Sequence, residues 1–285
     1  MRREFWWYLL LFIPGFIAYF TFVIGPIGIS IYYSFFDWDG INPDYNFVGF
    51  QNFVKALSDS QFGHSIYVTF FITIIGTLVV NVLGILFAVL LNKNSKLNNF
   101  YRAVFFFPLL LSPVVIGFLW KAILYYDGIF NDFFGTTIEF FGSADNALFT
   151  ITSIAIWQSV GGVIVLYLAG LKGIPTELYE AGKIDGASRW QEFKSITFPL
   201  LAPAMTMSII FMFTSLAREY DRIAVLTFGG PGGATETIAY YIVRLGFNAN
   251  QFSYAASLAV IMLLIIGGIS VLIVYVLKKR EERMS

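Results

Sequence analysis

The segment PTELYEAGKIDGASRWQEFKSITFP, Pro175 to Pro199, is polar and lies between two long apolar segments. Its first residue suits the start of a helix, where the N–H that proline lacks is not needed. Asp185-Gly186 supplies a turn, because glycine adopts the left-handed conformation at little cost. Ser188 and Gln191 have the spacing of a capping box, which begins a second helix. The segment therefore predicts two short helices joined by a turn.

An apolar stripe runs along the second of these helices. Trp190, Phe193 and Ile196 recur at a spacing of three residues, and such a stripe needs an apolar surface to cover it. Pro199 marks the entry into the next apolar segment. We expect the stripe to pack against another surface.

The composition is that of a polytopic membrane protein. The chain has 285 residues, of which 58% are hydrophobic and 13% charged, and its mean hydropathy is +0.73. The formal net charge is zero, which predicts no nucleic-acid partner. There is no cysteine, which excludes disulfide frameworks and thiolate metal sites.

The hydropathy pattern predicts an all-α integral membrane protein with six transmembrane helices in a single domain, residues 1–285. A spanning helix needs ~20 predominantly apolar residues. The predicted spans cover about residues 6–33, 65–91, 102–126, 147–171, 200–217 and 254–277, and residues 172–199 form the loop between the fourth and fifth. Pro108 and Pro113 interrupt the third span, which predicts that it packs inside a bundle where neighbours compensate for lost hydrogen bonds.

Basic residues orient this topology. Of the 18 Lys and Arg residues, 13 fall in the termini and the two loops that six spans place on the N-terminal side. The positive-inside rule then predicts that both termini and residues 172–199 are cytoplasmic.

Catalytic motifs are absent from the sequence. It contains no GxxxxGK[ST] phosphate loop, HExxH, GxSxG or Cys/His cluster. Glu177 and Glu180 lie three residues apart, a spacing more typical of a solvated helix edge than of acid/base catalysis. We therefore predict a protein that is not an enzyme, with no catalytic residue and no metal ligand.

Two groups of polar residues lie at or near predicted membrane spans. The run Arg218–Arg222 alternates basic and acidic residues after the fifth span, and it either closes that helix with ion pairs or faces a substrate path. Gln158 and Ser159 in the fourth span suit either hydrogen bonds between helices or a hydroxyl-rich ligand. The adjacent Trp157 either packs or stacks on a sugar.

The polar segment resembles the EAA loop of binding-protein-dependent ABC importer permeases. The resemblance rests on Glu180-Ala181-Gly182, Asp185-Gly186-Ala187, Ile196 and Pro199. Gly182 stands where that family usually has a second alanine, and Phe198 where it usually has leucine, so both positions keep small or apolar character.

Further segments extend the resemblance over nearly the whole chain and narrow it to the carbohydrate branch, similar to maltose and glycerol-phosphate permeases. They are Ser34–Trp38 (SFFDW), Val48–Phe53 (VGFQNF), Arg102–Pro108 (RAVFFFP), Ala169–Pro175 (AGLKGIP) and Leu226–Gly232 (LTFGGPG).

The resemblance implies roles for two sets of residues. In that family the loop is a cytoplasmic helix-turn-helix that docks into the ATPase subunit. The residues implied for coupling are Glu180, Ala181, Gly182, Asp185, Gly186, Trp190, Phe193, Ile196 and Pro199. The residues implied for the substrate path are Gln158, Ser159, Gly162, Glu219 and Tyr220, to which Arg218 is added as an ionisable group near the membrane.

The resemblance also implies an assembly. It consists of this permease, a second homologous permease, two ATP-binding subunits, an extracytoplasmic solute-binding protein and the surrounding membrane lipid, with a carbohydrate as substrate. ATP and Mg²⁺ would bind the ATPase, so we expect no cofactor in this chain. The expected location is the bacterial cytoplasmic (inner) membrane. An ion-coupled secondary transporter, a membrane scaffold and an importer of a non-sugar solute remain as alternatives.

Overall fold

The computed structural model describes residues 12–282, so the predicted start of the first span at residue 6 lies outside the described residues. The described chain is mainly helical, with one short antiparallel hairpin. The helices are α1 (Phe12–Tyr33), α2 (Gln51–Ser58), α3 (Ser60–Leu91), α4 (Lys96–Phe106), α5 (Pro113–Leu124), α6 (Ile129–Phe134), α7 (Ala144–Lys172), α8 (Thr176–Ile184), α9 (Arg189–Leu200), α10 (Ala202–Leu216), α11 (Asp221–Leu226), α12 (Ile238–Val243) and α13 (Phe252–Glu281). Strands β1 (Phe36–Asp37) and β2 (Asn46–Phe47) pair in the hairpin.

Among the described residues, five stretches are long and apolar enough to cross a membrane. They are α1, α3, Pro113–Phe134, α7 and α13. A sixth is obtained if the bent pair Arg189–Leu200 and Ala202–Leu226, which meet at 64°, counts as one span. The chain is thus a multi-pass helical membrane protein with five or six spans.

The third predicted span is broken rather than continuous. Helix α4 starts at Lys96, passes into a 3-10 turn at Phe107–Leu110, and ends before an extended Leu111 with ψ 143°. A new helix starts at Pro113, and its cap residue Ser112 accepts a hydrogen bond from the N–H of Val115 at 3.3 Å. Proline lacks the N–H that would continue the helix, and so the span divides where the sequence predicted one helix from 102 to 126.

The fifth span also begins differently from the prediction. Helix α9 continues through Pro199 to Leu200, with a π-helical turn at Phe193–Thr197, instead of ending in a loop. The chain bends at Leu201, and α10 follows with Pro203 in its first turn. Proline is tolerated in a first helical turn, which explains why Pro203 does not prevent α10 from forming.

The described residues divide into two compact units. Gly63–Tyr240 with the residues from Ile266 onward form one, and the residues up to Phe62 with Tyr241–Ile265 form the other. The larger unit has two apolar cores. One surrounds the fully buried Tyr167 and Ile164 of α7, and the other surrounds Ile151 of the same helix and Ile116 of α5. Helix α7 therefore contributes to both cores, and it carries the polar residues described next.

Candidate functional site

A buried polar cluster lies among the apolar helices of the larger unit. Arg222 of α11 donates from Nε and Nη2 to Oε1 of Gln158 on α7, at 3.2 and 2.8 Å. Its Nη1 forms an ion pair with Oε2 of Glu219. All three side chains are at least nine-tenths buried. A buried charge needs such partners, because an isolated one would be strongly destabilising.

The amide of Gln158 also reaches the break in the third predicted span. Its Nε2 donates to the carbonyl oxygen of Leu111 at 2.9 Å. This carbonyl stands between the 3-10 turn and α5, where regular helical hydrogen bonding is interrupted. Gln158 therefore uses both ends of its amide, one for the broken helix and one for Arg222.

Further hydrogen bonds extend the cluster to two other elements. The carbonyl of Glu219 accepts from the hydroxyl of Thr237 at 2.6 Å. The adjacent N–H of Ile238 donates to Oγ1 of Thr69 on α3 at 2.9 Å. Tyr220 stacks on Tyr240 with ring centroids 5.9 Å apart. The turn before α11 therefore contacts the start of α12 in two ways, by the hydrogen bond to Glu219 and by the stacked ring of Tyr220.

The six residues predicted for the substrate path differ in their surroundings. Gln158, Ser159 and Glu219 are buried, whereas Gly162 and Tyr220 are partly exposed and Arg218 is exposed. Arg218 donates from Nε to the carbonyl of Thr214 at 2.9 Å and forms no ion pair within the described part of the chain. The structure brings Gln158 and Glu219 together through Arg222, a residue of the alternating charged run for which ion pairs and a substrate path were both open, and it shows the ion pair. Glu219 lies three residues before Arg222, and this spacing is the feature of the sequence that could have predicted their ion pair.

The polar segment adopts the predicted helix-turn-helix. Helix α8 covers Thr176–Ile184, and Gly186 follows with φ +73°. Ser188 caps α9 with a complete capping box: its N–H donates to Oε1 of Gln191 at 2.7 Å, and its Oγ accepts from the N–H of Gln191 at 3.4 Å. These local predictions are confirmed.

The residues predicted for coupling lie on both sides of this motif. Ile196 packs inward, against the buried core and close to Gly182, and the hydroxyls of Tyr179 and Thr197 hydrogen-bond at 2.9 Å nearby. Trp190 is 69% exposed and stacks on the partly buried Phe193. The sequence stripe is therefore divided between an inner and an outer side. Glu180, Ala181, Asp185 and Gly186 are exposed, and Pro199 is partly buried.

Two further exposed apolar residues belong to the outer side of the motif. Ile184 at the end of α8 is 86% exposed, and Leu178 on the same helix is 42% exposed. With Trp190 they are the exposed large apolar side chains of the helix-turn-helix, which together we call its outer apolar face. The sequence did not indicate them, because no regular spacing relates residues on two helices joined by a turn.

The smaller unit contains a separate polar cluster around Asp59. Oδ2 of Asp59 accepts hydrogen bonds from the hydroxyls of Tyr241 and Tyr254 at 2.7 and 2.6 Å, and Oδ1 accepts from the N–H of Gln61 at 2.9 Å. Burial opposes ionisation of Asp59, but hydrogen bonds from Tyr254, Tyr241 and backbone N–H groups lower its pKa below the usual value. Lys55 lies over the ring of Tyr254, with Nζ 4.0 Å from its centroid.

Between residues 12 and 282, no group of three or more His, Cys, Asp or Glu side chains is placed to hold a metal ion. The described residues therefore provide a buried hydrogen-bonded cluster around Arg222, a polar helix-turn-helix with exposed apolar side chains, and helices long and apolar enough to span a membrane.

Comparisons with known proteins agree with the membrane-spanning helices. Residues 80–283 match the family described as binding-protein-dependent transport system inner membrane component. The chain is 35% identical to the probable starch degradation products transport system permease protein AmyD of Thermoanaerobacterium thermosulfurigenes, over 98% of this chain and 96% of that protein. It is 33% identical to the multiple sugar-binding transport system permease protein MsmF of Streptococcus mutans serotype c, over 98% and 97%.

A solved structure shows the same fold. It is a chain of a bacterial alginate ABC transporter in complex with an alginate pentasaccharide-bound periplasmic protein. The TM-score is 0.82 and the identity 22%, over 99% of this chain and 96% of that chain.

Proposed function

Because this chain belongs to the family of binding-protein-dependent transport system inner membrane components, we propose that it imports a saccharide as one permease of an ATP-driven transporter. The chain is a transport permease component and not an enzyme. Family membership favours this function over an ion-coupled secondary transporter or a scaffold. A saccharide is favoured over other solutes because the relatives AmyD and MsmF are named for starch products and multiple sugars.

The observation that carries the proposal is the helix-turn-helix with its outer apolar face. Leu178, Ile184 and Trp190 are exposed on a motif whose inner side packs against the core. An apolar face on an otherwise polar motif suits burial against another protein. We propose that it docks on an ATP-binding subunit, which holds ATP and Mg²⁺, and that two such subunits serve the transporter.

The motif acts as a lever in this proposal. Closure of the ATP-binding subunits moves α8 and α9, and the inward packing of Tyr179 and Ile196 passes the movement to the larger unit. Such a transition is a population shift driven by contacts that differ between two states. The coupling residues are those predicted: Glu180, Ala181, Gly182, Asp185, Gly186, Trp190, Phe193, Ile196 and Pro199.

The substrate path is proposed to lie between this chain and a second, homologous permease. The exposed Arg218 and the partly exposed Gly162 and Tyr220 are suited to face it. The buried Gln158, Ser159 and Glu219 support its wall, two of them through Arg222. An extracytoplasmic solute-binding protein delivers the saccharide, a role supported by the periplasmic protein bound in the alginate transporter.

The proposed orientation places both termini and residues 172–199 in the cytoplasm of a bacterium, with residues 1–285 as one permease domain. A reporter enzyme fused after Lys172 and another fused after Asn131 should report opposite sides of the membrane. The same side for both would contradict this orientation.

Purification tests the function. The chain is expressed with an affinity tag together with its cognate permease and ATPase, and the isolated complex is reconstituted for uptake of labelled oligosaccharides. We expect an ATPase to co-purify and uptake to require ATP. Uptake by this chain alone on an ion gradient, or a complex without an ATPase, would contradict the proposal.

A further inference from the structure

One side of the short helix α2, in the smaller unit, is apolar and exposed. Phe50 just before the helix, Val54 and Leu57 are 70%, 64% and 88% exposed. They are four and three residues apart, a spacing that puts them on the same side of a helix. Three large apolar side chains grouped in this way are unfavourable in water, so they indicate a surface that another molecule covers.

A second side of α2 is polar and also exposed. It consists of Gln51, Lys55 and Ser58, which lie about a quarter of a turn from the apolar side. Lys55 is the only charged residue between Phe50 and Ser58. This side is suited to water or to lipid headgroups.

The third side of α2 packs against its own chain. Ala56 is buried, and the side-chain amide of Asn52 donates from Nδ2 to the carbonyl oxygens of Ser34 and Phe36, at 3.0 and 2.7 Å. Ser34 and Phe36 follow directly after α1, which ends at Tyr33. Asn52 therefore holds α2 against the end of α1.

Two candidate membrane spans adjoin α2. Helix α1 is one of them, and the other is α3, which begins at Ser60, two residues after α2 ends at Ser58. The helix is thus attached to the end of one span and to the start of the next. A segment held in this way lies where both spans leave the bilayer.

We propose that α2 lies in the membrane interface and inserts Phe50, Val54 and Leu57 between the lipid headgroups and the acyl chains. Interfacial helices bury an apolar face ~5–10 Å into this boundary and keep a polar face in water. The third side of α2 remains on the protein. The inserted side chains hold the end of α1 and the start of α3 at a fixed depth. In the proposed orientation this is the outer leaflet.

The continuous presence of the bilayer favours lipid over a soluble protein as the molecule that covers this side. An extracytoplasmic binding protein that docks and departs would leave the three apolar side chains in water between encounters, which is unfavourable. The bilayer is present throughout. Lipid contact at α2 depends on the membrane spans and not on the import of a saccharide.

The natural absence of cysteine provides a direct test. Leu57→Cys introduces a thiol on the apolar side, and Ser58→Cys is the matched control on the polar side at nearly the same height along the helix. Each variant is assembled into the complete transporter, labelled with bimane and placed in nanodiscs of phosphatidylethanolamine and phosphatidylglycerol. Lipids with a nitroxide near the headgroup quench the label from the bilayer, and iodide quenches it from water.

We expect the nitroxide lipid to quench the label of Leu57→Cys about threefold more than that of Ser58→Cys, and iodide to show the reverse order, because a buried face is reached only from the lipid. Val54→Cys and Gln51→Cys form a second pair that should repeat the result. This pair also serves if Leu57→Cys fails to assemble.

Three outcomes overturn the proposal. Equal quenching by the nitroxide lipid on the two sides of the helix places neither side in the bilayer. Strong iodide quenching of Leu57→Cys that ceases only when the solute-binding protein is added assigns the surface to that protein. Protection of Leu57→Cys from both quenchers assigns it to the second permease. None of these measurements requires transport, so a failure of the import function leaves the result interpretable.

Discussion

The guanidinium of Arg222 holds Oε1 of Gln158 by two hydrogen bonds, 3.2 and 2.8 Å long, although 64 residues separate the two in the chain. The same guanidinium is paired with Glu219, and the amide of Gln158 is bonded to Leu111. One charged side chain therefore joins a broken helix, the most buried span and the turn before α11.

Replacing Arg222 with Gln should destabilise the protein by about 3–5 kcal/mol, because Glu219 is left as an unpaired buried charge. The double variant Glu219→Gln/Arg222→Gln removes both charges and should recover most of this loss. Thermal unfolding of the purified protein in nanodiscs measures both effects. A single variant as stable as the wild type would show that the ion pair contributes nothing.

Gly161 lies where α7 meets the end of α4, and a Cβ there would collide with the backbone carbonyl of Phe105. Backbone atoms cannot rotate away, so Gly161→Ala should cost at least about 1–3 kcal/mol. Gly267→Ala on α13 is the matched control, because nothing lies within 4 Å of a Cβ there. Comparable melting temperatures for the two variants would disprove the close approach.

Gly186 forms the turn of the helix-turn-helix with φ +73°, and there is open space around it. Gly186→Val should therefore act through backbone strain of about 1–2 kcal/mol alone, and we expect loss of coupled transport with normal membrane insertion. Gly186→Asn should be milder, since asparagine tolerates this conformation. Uptake and ATP hydrolysis are measured together, and full transport by the valine variant would refute the lever.

Trp190 is 69% exposed and contributes little to the core of this chain. Trp190→Ala should leave the melting temperature of the isolated chain unchanged and weaken retention of the ATPase during purification. Ile196→Ala, whose side chain packs inward, is the contrasting variant and should lower the melting temperature. Unchanged ATPase retention in the Trp190 variant would exclude the outer apolar face as a docking surface.

Asp59 should make stability pH-dependent below about pH 4. Its pKa is lower in the folded protein than the ordinary value of 3.8, so ionisation stabilises the fold above that pH. The contribution is lost as the pH falls through the folded pKa, because the protonated carboxyl no longer accepts charge-assisted hydrogen bonds from Tyr241 and Tyr254. The melting temperature of Asp59→Asn should no longer fall as the pH is lowered through this range. If the melting temperature of the variant depends on pH as that of the wild type does, other groups cause the pH dependence.

Local features were predictable from the sequence. The start of α8 after Pro175, the turn at Gly186 and the capping box of Ser188 with Gln191 depend on residues within four positions of each other. The second, fourth and last spans were also predicted, with ends that differ by up to five residues. The length of an apolar run decides each span, and a side chain close by in the sequence decides each helix start, turn or cap.

Breaks in the helices were less predictable. Pro108 and Pro113 indicated a weak point in the third span. The position of the break, at the extended Leu111, depends also on a hydrogen bond that the Leu111 carbonyl accepts from the side-chain amide of Gln158. Likewise, Pro199 predicted a boundary, yet the helix continues to Leu200 and bends at Leu201, which is completely buried in the core. Neighbouring elements therefore decide where a proline interrupts a helix.

The sequence by itself determined a helical membrane protein, a polar helix-turn-helix and the absence of a nucleotide-binding loop, because these depend on composition and short-range order. Only the tertiary structure decided that Gln158 and Glu219 are joined by Arg222 and that Ile196 faces inward while Trp190 faces outward. Each of these relationships requires knowing which face of a helix a neighbour covers. Apolar residues cover all sides of a membrane helix, so their periodicity does not reveal that face.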